Sequence, residues 1–82
     1  MADDAREADQ IAQDYVAMGH SVSLINDIIA GNKMVDEEDA DKKVRVDKNV
    51  RHLEFMVAKD DWGSESMTAS NSAIAAGKAY IG

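Results

Sequence analysis

The chain has no cysteine and no proline. Without cysteine there are no disulfides and no thiolate metal sites. That absence fits a cytosolic life. Without proline, nothing interrupts the helical patterns described below. No apolar run approaches the ~18 residues of a membrane span, so no membrane insertion is expected. The opening MADDAREADQ lacks a basic region followed by an apolar one, so no signal peptide is expected. An excess of positive charge is also missing. The formal net charge is −7, which argues against nucleic acid or anionic membrane as a general partner, because both need a field of the opposite sign.

Recognisable chemistry is equally scarce. Neither a G-x-x-x-x-G-K-[ST] loop nor a G-x-G-x-x-G turn occurs. The two histidines, His20 and His52, stand in no zinc signature and no Glu-x-x-His pair. His20 is expected in a loop and His52 on a helix surface. The acidic run from Asp36 fails the EF-hand pattern, with Asp41 where glycine and Asp47 where glutamate would be needed. No nucleophile–base pair follows from spacing. The expectation is therefore a protein without catalytic, metal or cofactor residues.

What is present is helical periodicity. Eighty-two residues make one small domain, 1–82. A chain of that size buries only about 60% of its unfolded surface. With disulfides excluded, self-association is the obvious remaining way to add stability. The longest pattern, 36–61, starts with acids that suit a helix N-terminus. Its acid-before-base pairs at i,i+4 are Glu38–Lys42, Asp39–Lys43, Asp41–Arg45 and Asp47–Arg51, each worth about 0.2–0.5 kcal/mol. On a helical wheel Val46, Val50, Leu53 and Val57 fall within about 60° of one another and form a core stripe. A second stripe, Ala40, Val44, Phe55 and Ala58, lies nearly opposite and is interrupted by Arg51. Two stripes imply contact on two sides, with another segment or with a second copy. Five of the nine basic residues, Lys42, Lys43, Arg45, Lys48 and Arg51, also lie here. Paired with neighbouring acids they read as a solvated face; a phosphate-binding strip is the sharper alternative.

Before this stretch, Asp3 and Asp4 are cap candidates for a helix 4–18 with Ala5, Ala8, Ile11, Ala12, Tyr15, Val16 and Gly19 on one face. Gly19 or His20 should end it, and Ser21 should cap a second helix, 21–30, stopped by Gly31–Asn32. After Gly63 the hydroxyls of 64–68 offer caps for a last helix, 66–80, with Met67, Ser70, Ile74, Gly77 and Ile81 along one line and Ala73 and Tyr80 beside it; Ser70, Ala73 and Gly77 are small, so the helix reads as a packing surface. A glycine inside a helix costs up to about 1 kcal/mol, and close approach of another backbone is a physical reason to keep it. The expected fold is thus all-α, a bundle of about four helices. The central and last helices should form an antiparallel hairpin about 62–66. The expected core is Ile11, Tyr15, Leu24, Ile25, Ile28, Val50, Leu53, Val57, Ile74 and Ile81.

Trp62, at the corner after the central helix, reads either as a hydrophobic plug or as a partner anchor, since tryptophan is enriched at interface hot spots. The partner-binding candidates are Val44, Arg51, Phe55, Ala58 and Trp62.

The second half, NVRHLEFMVAKDDW followed by MTASNSAIAAGKAYI, resembles small helical proteins encoded by tailed bacteriophages. The matching residues are Asn49, His52, Leu53, Glu54, Met56, Ala58, Lys59, Trp62, Thr68, Ala75, Gly77, Lys78 and Tyr80. The resemblance implies a viral origin and an accessory or virion-associated role, in the host cytoplasm or the particle, with no established activity. The functional expectation is a non-enzymatic interaction protein, self-associating as a homo-oligomer or docking onto a larger assembly of protein. An acidic inhibitor of a basic host protein is the alternative, motivated by the net charge.

Overall fold

The computed structural model describes residues 7–31 and 38–82. The described residues form three helices: α1 (Ala8–Ala30), α2 (Asp39–Val57) and α3 (Thr68–Ile81). No strand occurs among the described residues. Each helix packs against the other two. The all-α expectation holds, with three helices in place of about four. The proposed caps Asp3 and Asp4, and the start of the central helix at Asp36, lie outside the described residues.

The fourth helix disappears because α1 is continuous. Gly19 and His20 are interior helical residues, and Ser21 caps nothing. A mid-helix glycine costs only about 1 kcal/mol. Burying Met18, Ile25 and Ile28 along one line outweighs that, at roughly 1.5–3 kcal/mol per large apolar side chain. The continuous helix also rephases its own face. Met18 and Ser21 point inward, whereas Ala8, Ala12 and Val16 are exposed, Val16 by 59%. Gly31 does end the helix. Its φ of 77° is left-handed, and its N–H reaches the Asp27 and Ile28 carbonyls.

The second helix stops at Val57, four residues short of the expected 61. The reason is Trp62. Its indole N–H donates to the Met56 carbonyl at 2.9 Å, which also accepts from the Lys59 N–H at 3.1 Å, so the helix end is closed on both lone pairs. The folded-back ring is 7% exposed. It meets the Tyr15 ring at a centroid distance of 5.9 Å, tilted by 58°, a geometry aromatic pairs favour. The Tyr15 hydroxyl donates to the Ser66 carbonyl at 2.8 Å, fastening the loop to α1. The Ser66 hydroxyl accepts from the Thr68 N–H at 3.2 Å, and α3 begins there, two residues later than expected.

From Thr68 the chain returns along α2, so that Gly77 lies against Val50 and Val46. A Cβ built on Gly77 would stand 2.5 Å from Val50 Cγ2 and 3.2 Å from Val46 Cγ1. Ser70, Ala73 and Gly77 are all buried. The small-residue line is therefore the seam by which α3 enters the bundle. Met18, Ile25, Val46 and Leu53 are the largest fully buried side chains. Of the expected core, Ile25, Ile28, Val50 and Leu53 are buried, while Ile11, Tyr15, Leu24, Val57, Ile74 and Ile81 pack around them half-buried.

Candidate functional site

The inner face of α2 is occupied by Val46, Val50 and Leu53. On its outer side the large apolar side chains remain exposed. Val44 is 63% exposed and Phe55 64%. They stand three turns apart on one side of the helix. Arg51 lies between them, its guanidinium Nε 2.8 Å from Asp47 Oδ2 one turn away. Ala58, one turn beyond Glu54, is exposed too. The Lys59 ammonium sits 4.6 Å from the centroid of the Phe55 ring, a cation–π contact of about 0.5–1 kcal/mol at an exposed site. Beside Val44, an open hollow of about 370 Å³ is lined by Asp41, Arg45 and Lys48.

Four of the five candidate residues, Val44, Arg51, Phe55 and Ala58, thus share one solvent-facing strip. Trp62 does not join them. It lies inside the bundle against Tyr15, as the plug of the corner. Glu54 stands at the edge of the strip and pairs with Lys78 of α3 at 2.6 Å, both side chains being exposed to solvent. An exposed pair of this kind contributes about 0–1 kcal/mol and ties the hairpin together.

The fold also joins two residues that sequence spacing kept apart. Ser21 Oγ and His52 Nδ1 are 2.9 Å apart across the α1–α2 seam. His52 is thus half-buried at the seam, and His20 is helical where a loop was expected. Ser21 is only 6% exposed. A hydroxyl closed off in this way offers no approach to a substrate carbonyl. The pair satisfies the polar atoms of a helix seam, where a lone buried hydroxyl would be costly. No sequence signal announces it, since 31 residues separate the two. Among the described residues no three His, Asp or Glu side chains converge on a point where an ion could sit. Nor is any described helix long and apolar enough to cross a membrane.

Comparison with known proteins gives no matching family model, no matching curated protein and no matching solved structure.

Proposed function

We propose that this protein is a non-enzymatic helical interaction protein that works by protein–protein contact through the outer face of α2. The observation that carries the reading is Phe55. It is the only phenylalanine in the chain, it is 64% exposed, and it stands two residues from the fully buried Leu53. A ring held out on a rigid helix loses little freedom when it is covered, and covering it contributes roughly 1.5–3 kcal/mol. Arg51 beside it belongs with the aromatics to the residue types enriched in interfaces. Its aliphatic stem can lie over apolar surface while the guanidinium meets an acid of the partner. The resemblance of the second half to small phage proteins supports a setting in an infected cell or a virion, with an accessory role in either.

The test compares tagged wild type with Phe55→Glu in pull-downs from phage-infected cells. Circular dichroism first confirms that both are folded. The reading expects the wild type to retain protein chains, copies of itself included, that the variant loses. Identical sets from the two would sink it.

A further inference from the structure

Two glycines sit inside helices of this protein, and only one is explained by the bundle. Gly77 is forced by Val50 and Val46. Gly19 lies in mid-α1, and a Cβ built on it would have nothing within 4 Å. Its missing side chain opens a notch of about 110 Å³ between α1 and the start of α3, lined by Tyr15, Met18, Gly19, Val22, Ala69 and Ser70. The walls are apolar or small. A closed cavity of about 150 Å³ holds benzene, so an open notch of this size seats part of a phenyl ring.

The notch and Phe55 face opposite ways. Val46, on the inner side of α2, touches Gly77 in the seam with α3, and Phe55 lies half a helical turn away from Val46. The groove between α1 and α3 opens on the side of the bundle away from α2. The charges of the two sides are opposite as well. Ala8–Ala30 contains Asp9, Asp14 and Asp27 and neither lysine nor arginine. On the outer strip itself Lys48, Arg51 and Lys59 stand with Val44 and Phe55, against Asp41 at its start.

We infer that the partner is a second copy of this chain, docked head to tail, with Phe55 of one copy seated in the Gly19 notch of the next. This rests on the reading of the α2 outer face as a contact surface and goes on to name its occupant. The occupant follows from complementarity: an exposed ring on a strip with a surplus of bases, and a notch that admits part of a ring on a helix with neither lysine nor arginine. A contact between two copies through unlike patches leaves one ring and one notch free at the ends. Such contacts build rings or open filaments rather than closed dimers. The opposite charges make association weaken as salt rises.

The experiment uses two full-length variants. Phe55→Glu removes the ring and leaves the notch. Gly19→Leu fills the notch from its own wall and leaves the ring; leucine suits this helical position better than glycine, so the variant should melt at or above wild type. Sedimentation velocity at matched concentrations is the readout. Wild type should grow beyond a dimer as concentration rises, and each variant alone should remain monomeric where wild type assembles. An equimolar mixture of the two should form a one-to-one pair and stop there, because each variant keeps the half that the other lacks. A monomeric wild type, a wild type that stops at a dimer, Gly19→Leu assembling like wild type, or a mixture that stays monomeric would each overturn the inference. In all four cases the Phe55-dependent pull-down can still succeed, so the two readings fail separately.

Discussion

Leu53 and Phe55 lie two residues apart on α2 and meet different surroundings. Leu53 is 0% exposed and Phe55 64%. The same contrast recurs with the glycines. Gly77 is pressed against Val50, whereas Gly19 faces open space. In each pair the residue type is apolar or minimal on both sides, so composition alone does not separate them. The inner members are accounted for by the bundle's own packing. Of the outer members, Phe55 gains only the exposed Lys59 contact within one chain and Gly19 gains none. That asymmetry is what the proposed contact with a second chain rests on.

The contrast breaks most easily on α2. Leu53→Ala should lower stability by about 2–5 kcal/mol, a transfer loss plus a cavity. Phe55→Ala should stay within about 0.5 kcal/mol, as surface changes do. Urea titration of both variants, held dilute enough to be monomeric, measures the gap. Equal losses would mean that Phe55 belongs to the core.

Next come the glycines. Gly77→Ala should destabilise by about 1–3 kcal/mol, because the new methyl overpacks the seam. Val50 cannot turn aside, since a β-branched side chain in a helix has one strongly preferred rotamer. Ser21→Ala should cost about 0.5–1.5 kcal/mol, the net worth of its hydrogen bond to His52. The smallest change has the opposite sign. Gly19→Ala should stabilise by up to about 1 kcal/mol through helix propensity. Melting curves of the two glycine variants therefore move in opposite directions, and a shared direction would remove the distinction between seam and notch.

The inner face of α2 was legible in the sequence, because Val46, Val50, Leu53 and Val57 repeat at helical spacing with nothing to interrupt them. The outer stripe was legible for the same reason, and Val44 and Phe55 are where the wheel puts them. The continuity of α1 was not. Glycine, histidine and serine at 19–21 look like punctuation, and only the burial of residues on both sides shows that the break would lose more than it saves. The true end of α2 was hidden as well. It depends on an indole six residues further on reaching back to the Met56 carbonyl, and periodicity does not register a contact of that kind. The position of Trp62 in the chain favours a plug and also permits an anchor. Its ring contact with Tyr15, 47 residues earlier in the sequence, decides for the plug.

That placement makes Trp62 a built-in optical probe. It is the sole tryptophan in the chain. Its indole touches the end of α2 through Met56 and the side of α1 through Tyr15, whose hydroxyl holds the loop leading into α3. Emission from this one fluorophore therefore reports the corner where all three helices meet. Tyr15 also lines the Gly19 notch, so a ring seated there would register in the emission as well. Scattered light, which responds to particle size alone, then separates assembly of copies from unfolding of a single copy in the same sample.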